Sequence, residues 1–511
     1  MPTLDSYDAI PYEGIPITET YVEQLAAIGR LFGLATADPR ACRVLELGCA
    51  EGGNLIPMAF YLPDCRFVGL DLSVRQIEAG QRLIDALGLP NVTLLHRDVA
   101  AGAEDLGQFD YVIAHGLFSW VPADTRAALL ALVRRCLAPH GLAYVSWNAL
   151  PGWHTRAMMR AMLLQYTRTE QAPRARLQAA HDFLARFGPA LVEESGELAP
   201  LLKAEVEYLR RAPPSYVYHE YLAEVNEPML FADFVQLVHA HGLEYVADAE
   251  LYTLLPHTLG EAGQDVVADL DDRLARIQAM DFLRARRFHR SLLTHVEAPV
   301  QAAPDLEALR GLAFHADLSS EEEIDLAEAS PQVFATASGA RYSVRHPLAK
   351  AALMLLATAY PDSLAYPELY TAAAALVAEY GTAEAAQEEP ALARALLDLI
   401  AYNVVRPAVN ARRFDASPGD RPCAHGLARA QLALGQDCLA SVRHTAVQLD
   451  AEGRRLLALC DGTRDLAALT AAMEPLLPQE YTAAAREACA RMLWTFARHG
   501  LLSPAGQTSR G

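Results

Sequence analysis

The sequence lacks any apolar run approaching the roughly 20 residues needed to span a bilayer. Its opening, MPTLDSYDAIPYEG, has neither the basic start nor the apolar middle of a secretory leader. A cytoplasmic location is expected, with no membrane partner. Paired cysteine spacing is also missing: the eight cysteines (42, 49, 65, 136, 423, 438, 460 and 489) include no C-x-x-C, so neither a disulfide framework nor a zinc site follows, and no metal is expected. Several of them sit in apolar runs where a thiol packs as a small hydrophobe. Positive charge is short, with 43 Lys and Arg against 63 Asp and Glu and a net charge of -20. That field repels a phosphate backbone and argues against nucleic acid; a basic partner fits better.

What is present is a globular composition, 52% hydrophobic and 21% charged, without the skew of a disordered chain. At 511 residues it is too long for one core, and roughly three or four units are expected.

From Arg43 the run RVLELGCAEGGNLIPMAFYL reads as a strand, a glycine-rich loop and a helix. RFVGLDL at 66–72 followed by SVRQIEAGQRLIDALGL is a second such unit. NVTLLHRDV (91–99), FDYVIAHG (109–116) and LAYVSW (142–147) read as further strands, with TRAALLALVRRCLAP a helix before the last. Alternation of this kind predicts an α/β fold with a parallel sheet covered by helices on both faces. In such a sheet the ligand lies at the carboxyl ends of the strands, where strand order reverses.

The candidate cofactor residues are those at these ends: Glu46, Gly48, Cys49, Ala50, Gly52 and Asn54 after the first strand, Asp71 and Leu72 after the second, Asp98 and Val99 after the third, His115 and Gly116 after the fourth. Small residues let a ligand approach the backbone, and a carboxylate about 20 residues later can accept hydrogen bonds from both ribose hydroxyls. A nucleoside cofactor is implied. Gly48, Ala50 and Gly53 also spell G-x-A-x-x-G, close to the dinucleotide fingerprint. The E-x-G-x-x-x-G form with Glu46, together with Asp98 where an adenine amine would sit, favours S-adenosyl-L-methionine. The set resembles the class I methyltransferase fold.

Longer segments are similar to the bacterial methyltransferases that carry a methyltransferase regulatory domain, a group that includes the rickettsial outer-membrane-protein lysine methyltransferases. The resemblance rests on SYDAIPY (6–12), LAAIGRLFGL (25–34), LELGCAEGGNLIPMA, VGLDLSVRQIEAGQ, AHGLFSWVP (114–122) and SWNALPGW (146–153). It continues in YHEYLAEVNEPMLFADFVQLVHAHGLEYVADAEL (218–251) and MDFLRARRFHRSLL (280–293). It implies transfer of a methyl group to a protein or peptide lysine. The chain is expected to divide into a methyltransferase domain (1–153), a helical insertion acting as lid or dimer contact (154–212), a regulatory segment that could complete the sheet (213–298), a mostly helical middle domain (299–414) and a final domain (415–511). TAVQLDAEGRRLLALCDGTRDLAALTAAM and RMLWTFARHGLLS in that last domain resemble a peptide-recognising winged helix. The linker DASPGDRP is expected to be crossed by few core contacts.

A lysine of pKa near ~10.4 must lose a proton before it attacks, and an aromatic channel favours the neutral amine. Trp120, Trp147, Trp153 and Phe118 fall in or beside the loops after the fourth and fifth strands and could guide such a side chain. Of these Trp120 and Trp153, with His115, Asn148 and Tyr12, are the candidate catalytic residues. No (D/N)-P-P-Y follows the fourth strand, which places protein amines ahead of bases. A small-molecule N- or O-methyltransferase and a non-catalytic cofactor-binding regulator are the competing readings, and a homodimer is a candidate assembly.

Overall fold

A computed structural model describes residues 8–12, 14–102, 105–414, 416–476 and 484–503. Its centre is a seven-stranded sheet of β1 (Arg43–Leu47), β2 (Arg66–Asp71), β3 (Val92–His96), β4 (Phe109–Ala114), β5 (Leu137–Asn148), β6 (Leu243–Asp248) and β7 (Phe288–His295), in the order β3-β2-β1-β4-β5-β7-β6. β1 to β5 are parallel, and β7 runs antiparallel to both β5 and β6. Strand order reverses between β1 and β4, which fixes where a ligand belongs.

Local chemistry explains the βα units. α1 (Val22–Leu31) precedes the sheet, and α2 (Leu55–Tyr61) follows β1. α3 (Val74–Leu87) begins at Ser73, whose hydroxyl accepts from the Gln76 amide, and ends at Gly88 in the left-handed region. α4 (Ala123–Cys136) buries Leu129, Leu130, Leu132 and Val133 against the sheet. The expected regulatory segment is not a separate layer: α8 (Phe231–Ala240) leads into β6, and α9 (Arg273–Arg284) into β7, so this stretch closes the catalytic sheet. Between them in sequence and β5 lie α5 (His154–Tyr166), α6 (Pro173–Glu194) and α7 (Ala199–Arg211), with a core of their own that Ile10 of the amino-terminal segment completes.

The apolar core on one sheet face is continuous with that of the middle region, running from Tyr21 and Leu25 through Phe314 and Leu353 to Val405. The other face is covered by α4, α8 and α9. The middle region has α10 (Pro347–Ala359), α11 (Tyr366–Tyr380) and α12 (Glu389–Ala401), yet also two small antiparallel sheets, such as Gln332–Thr336 beside Arg341–Val344. These strands of two to five residues are too short for an alternation that sequence could display. The final module, α13 (Gly426–Ala433), α14 (Ala451–Leu459), α15 (Leu466–Met473) and α16 (Ala485–Arg498) with the hairpin Cys438–Ala440 and Ala446–Gln448, has a third core.

That module keeps a core of its own and is fastened to the rest of the molecule by polar contacts. The Tyr61 hydroxyl lies 2.6 Å from His425 Nε2, Arg498 Nη2 donates to Asp317 at 2.6 Å, and Arg443 Nε donates to the Pro361 carbonyl at 2.7 Å. Asp415, at the expected start of the final domain, lies outside the described residues. No helix among the described residues is long and apolar enough to cross a membrane.

Candidate active site

β1 delivers its loop to the switch point. Gly48 and Gly52 take φ of +75° and +74°, and Ala50 takes +49°, folding the loop tightly back. Asp71 at the end of β2 secures it: Oδ2 accepts from the Ala50 amide and Oδ1 from the Ser73 amide, each at 2.8 Å. A carboxylate oxygen has further lone pairs, so both can still receive ribose hydroxyls. Burial raises the Asp71 carboxyl and these amides oppose it.

Glu46 lies deeper and is buried. Its Oε1 accepts from Asn54 Nδ2 at 2.9 Å, while Oε2 is buried with no hydrogen-bond partner among the described residues. Burial pushes its carboxyl up to about 8, against the Asn54 bond and with help from Asp71. An orphaned carboxylate oxygen beside a glycine loop fits the ammonium of a methionine-like group. Asn54 directs its side chain to protein atoms, meeting Ile17, Thr20, Glu46 and His444. Cys49 is buried against Gly69.

The other candidates surround this loop. Leu72 is exposed, Val99 half-buried, and Asp98 accepts from the Ala100 amide at 2.8 Å, starting a short turn at Val99. Gly116 has φ of +64° with open space where a Cβ would stand, and its amide donates to Ser146 Oγ at 2.8 Å. His115 Nδ1 lies 2.9 Å from the Tyr144 hydroxyl. Burial, aided by the Arg290 charge, pushes its ring down to about 4, so it is neutral at physiological pH.

The amino-terminal segment straps the site. Ser73 donates to Asp8 at 2.5 Å, Gly14 donates to Glu51 Oε1 at 3.1 Å, and Gly14 packs so closely on Gly53 that a Cβ there would meet its backbone at 2.2 Å. Between these points Tyr12 stacks on His219, with centroids 4.5 Å apart, and donates to Glu220 at 3.4 Å. His219 and Glu220 lie in a single π-helical turn, Tyr218–Leu222, a conformation common at functional sites. Burial pushes Glu220 up to about 7, against Arg156, Tyr12 and Arg160. Neither residue stands out from sequence, since a buried histidine beside a half-buried carboxylate on an irregular turn has no period; only their place in the YHEYL motif marks them.

Trp120 and Trp153 meet edge to face with centroids 6.1 Å apart, and Arg156 lies over the Trp153 ring. Trp147 and Phe118 do not join them. Trp147 is 1% exposed, sandwiched between Phe234 and His289, and its indole donates to Ser291, while Phe118 packs against Phe234. Both belong to the core beneath α8, because their positions point across the sheet rather than to its carboxyl edge. Asn148 is buried, its amide donating to Ser119 Oγ at 2.8 Å and its side chain to Asn226 at 3.4 Å.

Three family models match the chain: "Methyltransferase domain" over residues 44–141, "Predicted methyltransferase regulatory domain" over 213–295, and "PKMT, C-terminal winged helix domain" over 420–490. Uncharacterized protein RP789 of Rickettsia prowazekii (strain Madrid E) is 35% identical over 292 residues, 57% of this chain and about half (52%) of that protein's length. Uncharacterized protein RP028 of the same organism is 32% identical over 231 residues, 45% of this chain and 92% of that protein. The structure of PKMT2 from Rickettsia typhi in complex with AdoHcy superposes with a TM-score of 0.83 at 24% identity, covering 96% of this chain and 100% of that one. The chain therefore belongs to the S-adenosylmethionine-dependent class I methyltransferases that carry a methyltransferase regulatory domain.

Proposed function

We propose that this protein methylates lysine side chains of a protein or peptide. The observation that carries the reading is the strap: one short segment bonds the cofactor loop through Gly14 and, two residues earlier, presents Tyr12 to Glu220. It brings a proton acceptor and aromatic surfaces to the edge of the nucleoside site. The similarity to PKMT2 of Rickettsia typhi and to the PKMT winged-helix family supports the same choice.

S-adenosylmethionine supplies a methyl group on a sulfonium. Asp71 would hold the ribose and Glu46 the ammonium, with the tight turn that begins at Gly48 beside them. The aromatic rings of Trp120, Trp153 and Tyr12 receive the lysine stem, and their low polarity disfavours its ammonium form. Glu220 takes the departing proton on a carboxylate oxygen. With that proton removed, the amine lone pair would be free to accept the methyl group that S-adenosylmethionine supplies when bound, with S-adenosylhomocysteine as the other product. Asn148, Asn226 and Ser119 hold the loops after β4 and β5 together around that path.

The test is to incubate the full chain with methyl-labelled cofactor and bacterial lysate, then acid-hydrolyse the protein fraction. Label in Nε-methyl-lysine is expected. Label confined to small molecules would instead favour methylation of a metabolite, and no transfer despite cofactor binding would favour a regulatory protein.

A further inference from the structure

The hairpin of the winged-helix module reaches back to the methyltransferase domain. Its tip residue His444 has φ of +56°, is 2% exposed and stacks on Tyr21 with centroids 5.3 Å apart. The His444 carbonyl accepts from Thr18 Oγ1 at 3.1 Å, and the adjoining Arg443 is equally buried. His444 Nε2 lies 2.7 Å from Asn54 Oδ1. Burial pushes the ring down to about 3, so a neutral imidazole with its proton on Nε2 donates here.

The Asn54 amide is then fully used. Its Oδ1 accepts from the Ile17 amide at 2.9 Å and from His444, while Nδ2 donates to Glu46 Oε1 and to Thr20 Oγ1, each at 2.9 Å. The Thr20 hydroxyl proton goes to the Ile17 carbonyl. With two N–H groups aimed at Oδ1 the amide cannot flip, because a flip would set donors against donors and turn an oxygen toward Glu46. The orientation that holds Glu46 is thus set jointly by the Ile17 amide, by Thr20 and by His444, the last 390 positions away in sequence.

We propose that His444 is a positioning residue for the cofactor: acting through the Asn54 amide, it fixes Glu46, so the winged-helix module completes the end of the site that holds the methionine part. This rests on the loops at the ends of β1 and β2 being the S-adenosylmethionine site. The module's hairpin is accordingly part of the cofactor site's support, whatever else the module binds.

The test is calorimetric titration of the full chain with S-adenosylhomocysteine. His444→Phe keeps the ring stack on Tyr21 and removes the N–H; affinity should fall roughly tenfold, the scale of one buried hydrogen bond. His444→Gln, whose amide can donate to Asn54, should stay within about threefold of the native chain by the same scale. A Phe variant that binds as the native chain does, or a Gln variant as weak as Phe with the same loss of melting temperature, overturns the proposal and leaves only packing. Should the Phe variant fail to fold, Asn54→Asp reads the same link, keeping the acceptor for His444 and removing the donor to Glu46; binding unchanged in that variant also overturns it. A native chain that binds no S-adenosylhomocysteine would instead refute the cofactor reading itself.

Discussion

Among single residues, Glu46 and Glu220 carry the sharpest expectations, because burial holds each carboxyl near neutrality, at about 8 and about 7. Burial favours the protonated form of Glu46 at pH 7, so pairing with a cofactor ammonium would release a proton. Cofactor affinity should rise as pH increases toward about 8, and Glu46→Gln should weaken binding and flatten that dependence; calorimetry in buffers of different ionisation enthalpy counts the proton. Glu220 accepts a proton only when ionised, so turnover should rise with pH through about 7. Glu220→Gln should lower kcat by roughly 100-fold or more, the usual scale for a lost acid-base group, and remove that limb. A pH profile identical to the native one would contradict the assignment. Alanine at Trp120 or Trp153 should lower turnover and leave cofactor affinity nearly unchanged. Glu46 and Asp71 were legible because their spacing from the glycines is local, whereas the partnership of Asn54 with His444 joins distant segments that no periodicity connects.

Individual elements divide in the same way. β1 to β4 announce themselves as apolar runs between turns, and their observed limits differ from expectation by only a few residues. β7 does not, since FHRSLLTH mixes charge with apolar residues. Its polar positions are explained by a buried cluster: His289 Nδ1 lies 2.7 Å from Asp248, its Nε2 lies 2.7 Å from Asp281, and Arg286 pairs with Asp248 at 2.7 Å. The regulatory motif MDFLRARRFHR thus fastens α9 and β7 to β6. Burial alone would raise the Asp248 carboxyl, but Arg286 and His289 hold it well below the usual carboxylate range. Its depressed value contributes stability that is fully present above the unfolded pKa of ~3.9 and is lost as pH falls below it. Removing one partner strands buried charge, so His289→Ala should destabilise the sheet by about 3–5 kcal/mol. Thermal unfolding within a degree or two of the native chain would show that the cluster contributes little.

For the whole molecule, alternation disclosed a parallel α/β sheet and resemblance a class I fold with a final winged helix, but neither showed how tightly the parts join. The middle region shares its core with the sheet, and the hairpin tip buries Arg443 and His444 against it. A chain ending at residue 414 would expose Tyr21, Glu23 and Tyr61 and lose the bonds to His425, Arg443 and Arg498. It should aggregate or show no thermal stabilisation by cofactor; a fragment that unfolds cooperatively and binds cofactor natively would contradict this.

The most direct measurement for the whole account is the affinity of S-adenosylhomocysteine for the full chain and for its Asp71→Ala variant. Binding of one equivalent by the native chain is expected, with a loss of about 2–4 kcal/mol in the variant, the scale of paired charged hydrogen bonds. No binding by the native chain, or equal binding by both, would contradict the placement of the cofactor at the ends of β1 and β2.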